Sequence, residues 1–310
     1  SVELSKTVKD KTFDDYFTEV EHSETISGMV RPGSLRLFCL NVRNGNIKSS
    51  DLEKFTMLNI GQYVFSRAKQ ENYRNAGNFD LVTQQALRAM RKSAKARDID
   101  AGETLGEIMV YAVMEEKLNA HKLLSKIELS TDAAQYASEA DGIHFLCKDG
   151  KTTLSNQMVF GASSVTGDIK DAIDMAFEKI SRIANHEDEE LLLVEKTALD
   201  RFYEEDDLKV LTSYVIPEEH KNASYGTSFG VFLGYSLGLI PDGYDDDQFR
   251  DRMHKKMIRD INAHEEYIAQ KIRDAKLQNH SFYFFTLPLN QAKEESDVIM
   301  QHVMEGDVDL

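Results

Sequence analysis

The chain has 310 residues, of which 41% are hydrophobic and 29% charged. That describes a globular protein of one large domain or two small ones and excludes a disordered polymer. Its formal net charge of −16 excludes a lone nucleic-acid binder with an overall basic footprint. Any DNA would be delivered by a partner or gripped by a local patch. "RAMRKSAKAR" (88–97) and "RDRMHKKMIRD" (250–260) are candidates, and both read first as solvated helix faces. No apolar run reaches the length of a membrane span, and the start "SVELSKTVKDK" lacks the apolar segment of a secretory signal. Cys39 and Cys147 each sit in an apolar, strand-like run. They read as two buried reduced thiols of a cytoplasmic protein, with no CxxC or Cys/His cluster for zinc.

In chain order, "GSLRLFCL" predicts a strand over 35–42, ending at the turn Asn44-Gly45. A helix follows through "SSDLEKFTMLNIGQYVFSRAKQ", with Ser49 or Ser50 as cap. Residues 78–97 predict a second helix, with Leu81, Val82, Ala86, Leu87 and Met90 at helical spacing. "GETLGEIMVYAVMEEKLNA" (102–120) is apolar nearly all round, the mark of a buried helix. Glu107 lies within it and needs a partner, because a lone buried carboxylate is expensive.

"DGIHFLCKDGKTTLSNQMVFGASS" reads as an antiparallel pair with a turn at Asp149-Gly150. Helices follow in "TGDIKDAIDMAFEKISRIANH" and "DEELLLVEKTALDRFYE", then a strand-like "DLKVLTSYVIP". In "YGTSFGVFLGYSLGLIP" the glycines 226, 230, 234 and 238 recur every four residues. On a strand they share one face, where another backbone can approach. A charged amphipathic helix over 247–277, the strand "HSFYFFTLPL", a last helix over 291–304 and an acidic tail complete a mixed α/β pattern with no clear domain boundary.

Several motifs fail. His264-Glu265-Glu266-Tyr267-Ile268 begins like a zinc-protease HExxH but has Ile268 in the second histidine's place. There is no P-loop, no dinucleotide fingerprint and no GxSxG elbow. Asp245-Asp246-Asp247 reads as a solvated turn, since the other ligands of a calcium loop are missing.

What is left is an ordered constellation: Glu107 on a buried helix, Asp141 opening a strand, and a next strand ending Gly161-Ala162-Ser163-Ser164. This helix–strand–strand order resembles metal-dependent nucleases of the PD-(D/E)xK type. There, carboxylates converge on Mg²⁺, and a lysine two residues after the last carboxylate assists the nucleophile. Positions i and i+2 of a strand share a face, as 162 and 164 would, and Asp141 would have to lie across from about residue 162, with a loop over about 149–154. An acid on a helix and another before a strand also occur in ordinary α/β domains. Glu107 as a salt-bridged core residue and Asp141 as a cap stand beside the nuclease reading.

The stretches "LGEIMVYAVM", "EADGIHFL", "QMVFGASS", "FGVFLGYSLGL" and "SFYFFTLPLNQAKEESDVIMQHV" together resemble the HamA/AbpA-type family of bacterial anti-phage defence, the nuclease subunit of the Hachiman system. The likeness spans about 35–305. It implies a mixed α/β fold with a PD-(D/E)xK restriction-endonuclease-like core and additional helices and strands. It also implies a single domain with an N-terminal part (about 1–80), a nuclease core (about 81–185) and C-terminal strands and helices (about 186–310).

By the same resemblance, the activity is Mg²⁺-dependent DNA hydrolysis. A HamB-type ATP-dependent helicase of superfamily 2 controls it, and DNA is met mainly through that complex. Glu107 and Asp141 match the metal ligands. The family's last strand reads G-E-S-K, so Ala162 stands at the position of the Glu and Ser164 at that of the Lys. This copy therefore reads as catalytically inactive, and Mg²⁺ belongs to the active form of the family. Three accounts of the departure are open: deliberate inactivation, a naturally degenerate subunit, or migration, with Lys170 reaching back and Gln157 or Glu103 helping to hold the metal. The alternative function is a non-catalytic subunit that binds and regulates the helicase.

Overall fold

A computed structural model describes residues 6–9, 12–23, 25–31, 33–131, 137–147, 156–201 and 225–310. The expected turn at Asp149-Gly150, the loop over 149–154 and the strand-like "DLKVLTSYVIP" lie outside these residues.

The first third contains α1 (Thr12–Tyr16), β1 (Phe17–Val20), β2 (Ser34–Leu40) and a small hairpin of β3 (Val42–Arg43) and β4 (Asn46–Ile47). Asn44 and Gly45 both have positive φ, 54° and 64°, which is the geometry that their turn demands. Then come α2 (Ser50–Val64), α3 (Arg67–Asn75), a single 3₁₀ turn (Phe79–Leu81), α4 (Val82–Arg97) and α5 (Ala101–Lys117). Ser49 does stand at the N-cap of α2, though its side chain makes no capping bond. The middle holds β5 (Ala120–Ser125), α6 (Lys126–Thr131), β6 (Gly142–Cys147), β7 (Asn156–Val165), α7 (Ile169–Asn185) and α8 (Glu187–Arg201). The last third holds β8 (Gly226–Ser236), α9 (Asp246–Asn262), α10 (Glu265–Asp274), β9 (Ser281–Leu289) and α11 (Ala292–Glu305).

Seven strands form one mixed sheet in the order β1-β2-β9-β8-β7-β6-β5. Its centre, β2-β9-β8-β7, is parallel, and both margins are antiparallel. Strands buried on both faces are continuous apolar runs, and β9, "SFYFFTLPL", is buried at every residue. The two sides of β7 are told apart by what they touch. A Cβ on Gly161 would meet Met114 of α5, while Ser164 Oγ donates to the Ala172 carbonyl of α7 at 2.6 Å.

Where sequence periodicity misleads, a tertiary contact is the cause. The helix expected through residues 50–70 breaks at Phe65, which is extended (φ −103°, ψ 145°). The Lys122 amine, fully buried in β5, takes the freed carbonyls of Gln62 (2.6 Å), Tyr63 (3.1 Å) and Phe65 (2.8 Å). The helix expected over 247–277 is two helices. His264 turns its ring onto the Asp260 carbonyl (2.7 Å) between them, and Ile268 is simply core. On β8, glycines 230 and 234 admit side chains of Met114 and Val165, not another backbone, and Gly238 lies past the strand. Asp245 is the N-cap of α9 in a capping box, and Asp246 accepts the Gly45 N–H at 2.7 Å. Cys39 is buried, its thiol pushed up to about 12 by burial, whereas Cys147 is only half-buried.

His144 on β6 is fully buried, with Nδ1 2.9 Å from the Ala120 carbonyl. Burial lowers its pKa to about 4. A base held neutral in the fold binds its proton only on unfolding, so stability is lost as pH falls from about 6.5 toward 4. The loss reaches at most about 3 kcal/mol. Urea melts of the wild type and His144→Asn across that range should show the wild type losing stability more steeply. Parallel pH profiles would assign the acid sensitivity elsewhere.

Candidate active site

Glu107 and Asp141 come from different elements to one place. Glu107 is on the buried helix α5, whose N-terminus is set by a capping box between Asp100 and Glu103. The preceding Gly106 lets α5 settle against β7, since a Cβ there would lie 2.7 Å from Ser163 Oγ. Asp141 precedes β6. The pairing of Gly142 with Gly161 places it opposite Ala162, and its N–H donates to the Gly161 carbonyl at 2.8 Å. Both acids are almost fully buried, at 3% and 1% exposure.

Each acid is already held. Arg97, the last residue of α4, grips Glu107 with two nitrogens, Nη1 to Oε1 and Nη2 to Oε2, the latter at 2.9 Å. Tyr63 Oη stands 3.5 Å from the same carboxylate. Asp141 Oδ2 accepts the Ser163 N–H (2.7 Å), the Ser163 hydroxyl (2.7 Å) and the Lys179 amine of α7 (2.6 Å). The carboxylate thus stands in for the next rung of the β6–β7 ladder. Lys179 also donates to the Ser163 carbonyl at 3.2 Å. Lys126, at the start of α6, donates to the carbonyls of Ser138 (2.8 Å) and Ala140 (3.1 Å).

The electrostatics tie these groups into one cluster. Burial pushes Glu107 up from the ordinary carboxylate range, Arg97 pulls it down and the Asp141 charge pushes it up again. Burial lowers the Lys126 amine, while Asp141 and Glu107 oppose the shift. The two acids are therefore each paired with a cation, Arg97 and Lys179, and the Lys126 amine lies beside them on backbone carbonyls.

The strand positions contribute little to this cluster. Ala162 is fully buried and carries no polar group. Ser164 is turned to α7. The residue that reaches Asp141 is Ser163, on the opposite side of β7 from Ser164. The migration candidates are overturned. Lys170 is exposed and engaged by Asp174 (3.0 Å) with its amine over Tyr267. Gln157 accepts from Tyr283 (2.9 Å) at the start of β7, and Glu103 belongs to the cap of α5. Lys179 is the amine that meets Asp141, and the sequence reading passed over it, together with Arg97, Lys126 and Ser163.

A signal for Lys179 existed. Helix α7 runs back along β7. The nine residues from Lys170 to Lys179 cover about 14 Å, which is about four residues of strand. Counted back from the end of β7, that returns to residues 161–162.

Among the described residues, no group of three or more His, Cys, Asp or Glu is placed to hold a metal. No helix among them is long and apolar enough to cross a membrane.

Fold and cluster together define a mixed α/β protein with a buried, charge-neutralised acidic pair where α5 meets the β6–β7 hairpin. The family model for HamA matches residues 14–303, and the chain belongs to the HamA family. Membership gives it a role in Hachiman anti-phage defence. No curated protein and no solved structure matches the chain.

Proposed function

We propose that the chain is the nuclease-scaffold subunit of a Hachiman-type complex, controlled by a HamB-type ATP-dependent helicase, and that this copy does not hydrolyse DNA. The observation that carries the reading is the neutralised pair. Glu107 and Asp141 share one electrostatic cluster, and on this reading they take the helix and strand positions of a PD-(D/E)xK-like centre. Yet Arg97 and Lys179 occupy both carboxylates, and positions 162 and 164 offer neither acid nor amine.

The donor set does not fit Mg²⁺. That ion takes carboxylate oxygens and waters in near-octahedral order and dehydrates reluctantly. Here each acid is already paired with a cation, and Asp141 Oδ2 already accepts three bonds. A divalent ion entering this centre would have to displace an ammonium or a guanidinium.

The test is a paired cleavage assay on plasmid and linear DNA. It uses the chain and its Ala162→Glu/Ser164→Lys variant, each with and without the helicase, ATP and Mg²⁺. Circular dichroism first checks that the variant folds, because position 162 is fully buried. The unaltered chain should leave DNA intact, and the variant, whose added carboxylate at 162 stands opposite Asp141 and competes for Lys179, should degrade it. A folded variant that binds helicase without cutting would move the assignment to a purely regulatory subunit. Cutting by the unaltered chain would overturn the reading outright.

A further inference from the structure

We propose that the exposed face of α4 is a docking surface for the phosphodiester backbone of nucleic acid. Residues 82–97 contain five cations and no acid, in a chain of net charge −16. Val82, Ala86, Leu87 and Met90 turn inward. Arg88, Arg91, Lys92 and Lys95 are exposed on the outside. Their spacing of i, i+3, i+4 and i+7 makes one continuous stripe about 10 Å long. Arg91 donates to the Met304 carbonyl at 3.0 Å, which anchors one edge of the stripe to α11.

What distinguishes this stripe is that it is unneutralised. The other basic segment of the sequence, on α9, is laced to its own acids: Arg250 to Asp247 (2.6 Å), Lys255 to Asp251 (2.7 Å) and Lys256 to Asp260 (2.7 Å). Arg88, Arg91, Lys92 and Lys95 form no ion pair among the described residues. The helix dipole favours cations in the last turn, which accounts for Lys95 and Arg97 but not for Arg88, Arg91 or Lys92 further back. In an acidic molecule, such a face turns toward a polyanion while the rest of the surface turns away from it.

The chemistry of the stripe favours phosphate over an acidic protein. No exposed aromatic or large aliphatic side chain lies between 82 and 97. A protein interface is organised on such anchors, whereas backbone phosphates are held by cations alone. The exposed Phe79 and Leu81 lie before the helix, at the end away from Arg97. The stripe ends at Lys95, two residues before the half-buried Arg97 that holds Glu107. Binding here needs no cleavage and no metal, and stands or falls apart from the reading of the active centre.

The experiment is fluorescence anisotropy of a short labelled duplex with the full chain, in EDTA, titrated between about 50 and 200 mM salt. The variant is Arg88→Gln/Lys92→Gln/Lys95→Gln. The control is Arg250→Gln/Lys255→Gln/Lys256→Gln. Five of the six positions are exposed and Lys256 is half-buried, and circular dichroism checks that both variants fold as the wild type does. The α4 variant should bind at least about tenfold more weakly at low salt, with the slope of log K against log salt reduced by about 2 to 3. The control should bind as the wild type does. Equal binding by the α4 variant, or no duplex binding by the wild type at low salt, overturns the proposal. Displacement of the duplex by poly-glutamate at comparable charge would overturn it in favour of an acidic protein.

Discussion

Arg97→Met should destabilise the protein by about 3–5 kcal/mol, the cost of leaving a buried charge without its partner. Glu107 is 3% exposed and its pair with Arg97 uses both nitrogens of the guanidinium fork. The double variant Arg97→Met/Glu107→Leu should recover much of that loss, because no buried charge is left unpaired and only the Tyr63 and Ser93 hydroxyls lose a partner. The loss should also depend on pH. The folded pKa of Glu107 already lies above its ordinary value, through burial first, and without Arg97 it rises further. A raised acid costs stability as pH climbs from the unfolded pKa through the folded one. The Arg97→Met deficit should therefore be largest at neutral pH and shrink toward pH 4–5 as Glu107 protonates. Urea titrations of the four proteins of the cycle at two pH values measure this. A pH-independent deficit, or a double variant as unstable as the single, would mean that Arg97 acts through packing.

How much of this was legible in sequence follows the range of the forces. The long helices and the strands β2 and β6–β9 announced themselves because their apolar periodicities are local, while the short α1, β1 and α6 were not read. The need of Glu107 for a partner was also legible, because the apolar positions around it left no doubt of its burial. Its partner was not, although Arg97 lies only ten residues away: the chain turns between α4 and α5, and only packing shows which basic residue of "RAMRKSAKAR" faces inward. β5 was missed because His121 and Lys122 interrupt an otherwise apolar run. A lysine reads as surface until the three carbonyls that satisfy it are seen. The two basic segments differ already as strings, since "RDRMHKKMIRD" carries Asp251 and Asp260 while 82–97 carries no acid. The structure adds that these acids pair with Lys255 and Lys256 of α9. Lys170 was favoured over Lys179 by nearness in sequence to position 164. The return of α7 along β7 gives the longer interval the shorter distance.

Lys179→Ala is the second large effect, and it probes whether the cations hold the centre in a metal's place. Asp141 would keep only the two donors of Ser163 while remaining buried. A loss of about 2–4 kcal/mol is expected. Lys179→Arg should lose less, since a guanidinium keeps a charge-assisted bond to Asp141. Arg97 is then the one cation still paired with the two acids, and Asp141 Oδ2 loses one of its three donors. Mn²⁺ added to Lys179→Ala should then raise its melting temperature and recover about 1–3 kcal/mol at saturating concentration. The wild type and Lys179→Arg should show no such response, because their ammonium or guanidinium already fills the position. The wild type's silence follows from charge: a divalent ion would meet Arg97 and Lys179 with no unpaired acid to offset them, in a poorly solvated place where Coulomb terms are several times their value in water. Calorimetric titration of Mn²⁺ into the wild type, Lys179→Ala and Lys179→Arg decides the matter. If the wild type takes up one ion and Lys179→Ala takes up none, the lysine supports a metal centre instead of replacing one, and the reading of a cation-filled centre falls.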